Sequence, residues 1–380
     1  MSLASAREHR TAVVSARARE EIHVAVRVDA SANIGVGHAV RCLALVQELS
    51  RRSVRVTVFG MLDIGWVADA YERLGVPVMS PSQIDRAHVT HAVIDGYDIS
   101  PELGAGLRSN AVRVLAMVDD EFGAGQVADV YVDQNYGARP HVGGPDGSIA
   151  LAGPPYSLLR DEVLAVRSAP VLEHTRVTSD AAPRVLAVFG GTDPHGAAEV
   201  LVPMLVETGA PMQLTVVCPD PARGARLSSV PVQGPHQHVT VTAVLPNLAA
   251  TAAAHDVAVS AAGSTVWELL TIGTPTAVVC VVDNQEPGYR ATTGSGLVVP
   301  AGRLTRLRTG DCNEREAGVE SLARLLTDGQ LQHHLRRRGM AQFDGRGRER
   351  VADALLDSAQ FVDGHGRRTP DDVGVPGEIG

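Results

Sequence analysis

A chain of 380 residues with 44% apolar side chains is too long for one ordinary domain and long enough for two, each with its own core. The formal net charge of −9 argues against a nucleic-acid or membrane-surface partner, because phosphate backbones and anionic bilayers favour basic faces. No apolar run approaches the ~18 residues of a membrane span, and Cys42, Cys218, Cys280 and Cys312 form no C-x-x-C pair that would support a zinc or thioredoxin-like site.

The first residues, "MSLASAREHRTAVVSARAREE", scatter charge through the segment and lack an apolar h-region, so they do not read as a secretory signal. Residues 1–20 are expected to be a flexible extension, and the chain to be cytoplasmic with reduced, buried cysteines. Short apolar runs then recur at 22–28, 54–60, 91–96, 113–120 and 127–135. Most end in Gly, Asp or Pro, and helix-like stretches such as "AVRCLALVQELSRR" (39–52) lie between many of them. Continuous apolar runs separated by crossover helices imply parallel sheets covered on both faces.

The polar, proline-containing stretch 165–184 reads as a linker, with the boundary near 170–182. A second series follows at 184–191, 213–219, 238–245, 255–263 and 275–283. Each half opens with an apolar strand and a glycine-containing turn, "RVDASANIGVGH" in the first and "VFGGTDPHG" in the second. This gives a Rossmann-like domain over 21–172, a second over 183–345, a C-terminal helix over 346–363 and a Gly/Pro-rich tail over 364–380 expected to be disordered. Two doubly wound sheets facing each other bring the carboxyl ends of their strands to one cleft, where such sheets bind ligands.

Three turns carry the chemistry. In "GSTVWE" a strand ends at Gly263 and a helix starts near Ser264. The unpaired N–H groups and dipole of that helix start favour an anion, and Ser264 and Thr265 add hydroxyl donors, so a diphosphate fits. Glu268, one turn on, suits a ribose diol that can donate to it. In "FGGTDPHG", Gly190 and Gly191 allow close backbone approach to a ligand, while Thr192 and Asp193 can cap the next helix. In "VDNQEPG", Asn284 and Gln285 follow an apolar strand at the same edge and could read sugar hydroxyls. The common alternatives are an ordinary serine cap, an ordinary turn and asparagine turn chemistry.

Taken together, "VSAAGSTVWELLTIGTPTAVVCVVDNQ" and "RVDASANIGVGHAVRCLALVQEL" resemble the nucleotide-sugar hydrolases of the pseudaminic acid pathway, relatives of the MurG glycosyltransferase. "VLAMVDDEFGAGQVADVYVDQN" and "GPPYSLLRDEV" resemble the middle segments of that family, and the likeness runs collinearly from about 24 to 355. It implies a GT-B fold, two Rossmann-like doubly wound α/β domains holding a nucleoside diphosphate-sugar, with UDP the expected nucleotide and an amino or deoxy sugar attached. By the same resemblance the general base falls on His38, diphosphate contacts on Gly191, Ser264 and Thr265, ribose on Glu268, and the sugar on Asn284 or Gln285. The nucleobase falls to backbone near Val244 and Leu245. Asp29, Gly37, Arg41, Tyr156 and Arg160 match motif positions as substrate-binding residues. Two segments depart from the pattern: Gly96, where a second acidic or other polar residue is common, and "EPGYRATTGSG" after Gln285, which is poor in helix formers.

His38 follows Gly35 and Gly37 at the start of a helix. The positive helix end disfavours an imidazolium, and a neutral imidazole is what a general base needs. The expected reaction is attack of a His38-activated water on the anomeric carbon with inversion, releasing free sugar and nucleoside diphosphate. Two rival readings remain, a glycosyltransferase passing the same sugar to an alcohol and a non-catalytic nucleotide-sugar-binding protein. A dehydrogenase would need G-x-G-x-x-G after the first strand, and "GVGHAV" supplies only G-x-G. No H-x-x-x-H or D-x-D cluster stands at a strand end, so neither metal nor cofactor is expected and EDTA should leave activity intact.

Overall fold

The computed structural model of the chain describes residues 22–31, 33–86, 88–168, 182–243, 245 and 247–357. The expected N-terminal extension, most of the linker and the expected tail lie outside the described residues.

Two sheets form, and every strand pair in them is parallel. The first contains β1 (His23–Val28), β2 (Arg55–Phe59), β3 (Val78–Met79), β4 (His91–Asp95), β5 (Arg113–Met117), β6 (Val130–Asp133) and β7 (Ile149–Ala152), in the order β3-β2-β1-β4-β5-β6-β7. The second contains β8 (Arg184–Val188), β9 (Met212–Val217), β10 (Gln237–Thr242), β11 (Val257–Ala261), β12 (Thr276–Cys280) and β13 (Val299–Arg303), in the order β10-β9-β8-β11-β12-β13. Both orders switch direction beside their first strand, which is the Rossmann arrangement and leaves a crevice at that point.

The inner strands are buried on both faces, as their continuous Val, Ala and Leu runs require. β5, β6, β11 and β12 have no exposed residue. Each sheet carries an apolar cluster on either side, four clusters in all. Each fully buried Val or Leu contributes about 1.5–3 kcal/mol of burial free energy. The strands absent from the sequence reading, β3, β7 and β13, are all sheet edges. β3 has two residues, both exposed, and β13 carries Pro300 and Gly302, which a central strand would not tolerate.

The chain crosses between the halves twice. The helix Asp161–Ser168 packs on the second half, where Leu159 and Val163 join the cluster around Trp267 and Leu270. The helix Gly347–Leu356 returns to the first, where Val351, Ala352 and Leu355 join the cluster under β1. The crossings touch at Gly347, where an added Cβ would lie 2.2 Å from the Ser157 carbonyl oxygen. The segment 286–294, poor in helix formers, nonetheless forms a helix, Glu286–Gly294, with Pro287 in its first turn and Tyr289 and Thr292 buried.

Acid should loosen the first half. His91 opens β4 opposite Arg113 of β5, and burial first, then the charge of Arg113, holds its pKa down at about 4. An unfolded histidine titrates near 6.5. The unfolded chain therefore takes up this proton before the folded chain does. The contribution of a neutral His91 is complete above pH 6.5 and lost as pH falls from 6.5 to 4, about 1–2 kcal/mol after solvent screening. His23, buried on β1, shifts in the same direction, mainly through burial. Urea midpoints at pH 7 and pH 4.5 test this. His91→Gln should keep most of the stability that the parent loses, and equal losses would exclude His91 as the source.

Candidate active site

A cleft of about 1070 Å³ lies between the halves, lined by residues from the carboxyl ends of both sheets. That is the upper end of the size range for small-molecule sites. Two helix starts meet there. The helix Gly37–Arg51 begins without a side-chain cap and without an acidic residue in its first turn. The helix Thr265–Ile272 also begins without a side-chain cap, at Ser264. They come close enough that a Cβ on Gly37 would lie 3.5 Å from Ser264 Oγ. Uncapped helix starts favour an anion in the space they face, although the second helix carries Glu268 in its first turn, paired with Arg160. Neighbouring turns are closed by their own side chains: Asp193 accepts from the backbone N–H groups of Ala197 and Ala198, and Asn247 accepts from that of Ala250.

His38 stands in the first turn of the Gly37–Arg51 helix. Its Nδ1 is 2.6 Å from Asp95 Oδ1. Asp95 ends β4, which pairs directly with β1, so the sheet order brings it beneath the first loop. The same carboxylate accepts from Arg41 Nε at 2.7 Å and Arg41 Nη2 at 2.6 Å, and from Cys42 Sγ at 3.3 Å. Burial opposes its charge, but Arg41 and then His38 hold the carboxyl well below the usual range. Arg41 Nη2 also lies 3.1 Å from Nδ1 but has its shorter contact with Asp95 Oδ1; because an ionised carboxylate can only accept, the proton is assigned to Nδ1, which donates to Asp95. Nε2 is then the ring nitrogen with a lone pair, and His38 lines the cleft. The sequence reading considered the helix start alone; the structure adds a buried carboxylate that fixes the tautomer.

Arg41 continues the network, donating from Nη1 to Asp119 Oδ1 at 2.8 Å. Burial alone would disfavour its guanidinium, and Asp119 and Asp95 keep it charged. Asp119 also accepts from Tyr97 OH at 2.6 Å and Asn135 Nδ2 at 2.8 Å. Tyr97 sets its ring edge-on to His38, 4.6 Å between centroids. Burial and then Asp119 raise its phenol far above the ordinary range, so it stays protonated. Its oxygen accepts from Asn284 Nδ2 at 3.2 Å, joining the halves beside the imidazole. The other amide atom, Asn284 Oδ1, is buried with no partner among the described residues.

Gly37, His38, Arg41, Arg160, Gly191, Leu245, Ser264, Thr265, Glu268, Asn284 and Gln285 line the cleft. Val244 lies outside the described residues. Two residues given a substrate role by motif position do not line it. Asp29 is occupied by Arg27 Nη2 at 2.7 Å and the Met61 N–H at 2.8 Å, where it ties two loops together. Tyr156 packs against the core of the first half at the chain crossing. Arg41 lines the cleft and donates to Asp95 and Asp119. Asp95, Tyr97, Asp119 and Asn135 were missed. The available signal for Asp95 and Tyr97 was "IDGYD" at the end of a strand that Rossmann order sets beside β1, and for Asp119 and Asn135 the strand ends "VLAMVDD" and "VYVDQN".

Gly191 faces Val36 and Trp66 across the cleft. A Cβ there would lie 2.7 Å from Val36 Cγ2 and 3.4 Å from Trp66. Gly191→Val should wedge the halves apart and, through misplacement on the ångström scale, lower kcat/KM on the order of 10²-fold with little change in melting temperature. Steady-state kinetics on a substrate found by screening checks this, and unaltered kcat/KM would show that the halves need not close at this point.

The fold is that of a two-domain Rossmann-like protein with a cleft between its halves. No protein-family model matches the chain. A protein of Methanocaldococcus jannaschii, described only as uncharacterized, is 21% identical over 279 residues, 70% of this chain and 57% of that protein. The chain thus spans little more than half the length of the curated relative it matches. MurG from Acinetobacter baumannii superposes with a TM-score of 0.59 at 16% identity, covering 88% of this chain and 99% of that one. A UDP-GlcNAc 2-epimerase from Neisseria meningitidis, bound to UDP-GlcNAc, gives 0.60 at 9% identity, covering 88% and 100%. S. aureus MnaA in complex with UDP gives 0.59 at 11% identity, covering 87% and 95%. These similarities define the architecture: the chain has the GT-B fold, shared with MurG and with UDP-GlcNAc 2-epimerases.

Proposed function

We propose that the chain hydrolyses a nucleoside diphosphate-sugar at the anomeric C–O bond with inversion. One observation carries this reading: His38, its tautomer set by Asp95, stands where two uncapped helix starts converge. His38 Nε2 takes a proton from water. The water oxygen bonds to the anomeric carbon as the bond to the diphosphate oxygen breaks, and the electron pair leaves on the nucleoside diphosphate. Negative charge growing on that oxygen is met by the helix start at Ser264 and Thr265, so no carboxylic acid is needed opposite the base. Asp95 holds the imidazole in place and steadies the imidazolium that forms, and Arg41 in turn holds Asp95.

The nucleoside is assigned to Leu245 and Glu268 and the sugar to Asn284, Gln285 and Tyr97. A UDP-linked amino or deoxy sugar follows from the resemblance noted above; the proposed cytoplasmic setting rests on the reduced cysteines. Nucleoside diphosphate-sugars incubated with the protein alone, with free nucleotide read by chromatography, test the reaction. Release of nucleotide and free sugar without acceptor, with the opposite anomer appearing first by proton NMR, supports hydrolysis. Donors that persist until an alcohol is added would make the chain a transferase.

A further inference from the structure

A second groove, of about 1120 Å³, lies in the second half and shares no lining residue with the cleft. It runs between the helices Cys312–Thr327 and Gly329–Gln342 and the chain at 296–300 that enters β13. The second of these helices, "GQLQHHLRRRGMAQ", contains no acidic residue. His333, His334, Arg337 and Arg338 are exposed on it and line the groove, and the facing helix adds Arg324, also exposed. Asp328 is the one carboxylate in the lining. It is engaged twice, accepting the Leu331 N–H at 2.9 Å and lying 3.6 Å from Arg324 Nε. The side chains of Arg337 and Arg338 form no ion pair among the described residues. On other helices Arg226, Arg290 and Arg346 each pair with a glutamate. A solvated helix face in a chain of net charge −9 is expected to intersperse carboxylates among its arginines, one turn apart, and this face does not. Arg336 lies half-buried near Asp256 and takes no part.

We propose that this groove is a second ligand site, which holds the diphosphate group of a small molecule between Arg337 and Arg338 on one wall and Arg324 on the other. The site is independent of the reaction proposed for the cleft. A guanidinium fork matches two oxygens of one phosphate. A planar carboxylate is satisfied by one fork, whereas a diphosphate turns oxygens in several directions and can meet forks from both helices. His333 and His334 stand one turn before the arginines and add ring N–H donors along the same face. Val298, Pro300 and Leu331 line the groove beside these cations and suit the uncharged part of such a molecule. The wall at 296 comes close to the arginines: a Cβ on Gly296 would lie 3.6 Å from Arg338 Nη1.

Calorimetric titration of the full chain with inorganic pyrophosphate at low salt tests this, in the parent, in the double variant Arg337→Gln with Arg338→Gln, and in Arg324→Gln. The three side chains are exposed, so the variants should melt with the parent. The parent should bind with a dissociation constant of about 1 mM or below, and added salt should weaken it, as charge pairing near a surface requires. The double variant should lose about tenfold or more, the scale of a charge-assisted hydrogen bond, and Arg324→Gln should lose at least about threefold, because the anion is held from both helices. In the parent, pyrophosphate should protect Arg337 and Arg338 from phenylglyoxal, read by peptide mass spectrometry. Absence of binding in the parent overturns the proposal. So does binding that the double variant keeps, which would put the anion in the cleft or elsewhere, or an effect confined to one helix. Capture of the parent by phosphatidylglycerol vesicles without binding of pyrophosphate overturns it too, by making the arginines a membrane contact.

Discussion

Replacing His38 by alanine is expected to lower kcat for donor hydrolysis by about 10²–10⁴-fold, the usual share of general-base catalysis, and to leave UDP affinity within about threefold. The two effects separate because of where the contacts lie. In the proposed reaction His38 offers Nε2 to the attacking water, whereas the nucleotide contacts proposed at Leu245, Ser264, Thr265 and Glu268 belong to the second half. The shortest contact of the imidazole is to Asp95, with Arg41 Nη2 and the Tyr97 ring beside it, and removing the imidazole leaves that carboxylate still held by Arg41 at two points. The variant should therefore fold, and thermal unfolding beside the parent checks that it does. Turnover within tenfold of the parent would remove His38 from the chemistry and leave the cleft as a binding site. Loss of UDP affinity in step with kcat would instead make it a ligand contact.

The legible parts of this chain were those in which local sequence and tertiary position coincide. β5, β8 and β11 announce themselves because a strand covered on both faces is apolar over most of its length, with Arg113 and Arg184 only at the first positions and Ser260 the one polar residue of β11. His38, Ser264 and Glu268 lie at strand-to-helix turns, the places where a doubly wound sheet offers backbone donors to a ligand. Three of the edge strands were harder to see: β3 has two residues, β7 is apolar but only four residues long, and Pro300 and Gly302 interrupt β13. The helix Glu286–Gly294 runs against propensity, with Thr292 and Thr293 turning their hydroxyls back to the carbonyls of Gly288 and Tyr289 at 2.6 and 2.7 Å. What holds His38 was hidden for another reason. Asp95 is 57 residues from it and Asp119 is 78 from Arg41. Only the order β1-β4-β5 joins them, and that order belongs to the sheet rather than to any window of sequence. Asp29 shows the converse, since its motif position suggested a ligand contact while its carboxylate closes a loop.

Asp95→Asn should be the most damaging single-atom change in the protein. The carboxylate accepts four donors, from His38, twice from Arg41 and from Cys42, and it is fully buried. An amide cannot replace it in either orientation. With its oxygen toward His38, its NH₂ meets Arg41 Nε and the Cys42 thiol, donor against donor. With its NH₂ toward His38, Nδ1 must accept, the ring proton moves to Nε2, and no lone pair is left for water. Arg41, buried with two carboxylates in the parent, keeps only Asp119. Removing one member of such a pair costs about 3–5 kcal/mol. In the Ser-His-Asp triad the equivalent change lowers kcat about 10⁴-fold through the wrong tautomer, and a loss of that order is expected here. Asp119→Asn is the control, because Asp119 touches Arg41, Tyr97 and Asn135 but not His38. It should lower the urea midpoint by a similar amount and cost far less in kcat. Equal kcat losses in the two variants would mean that Asp95 acts through general stability and sets no tautomer.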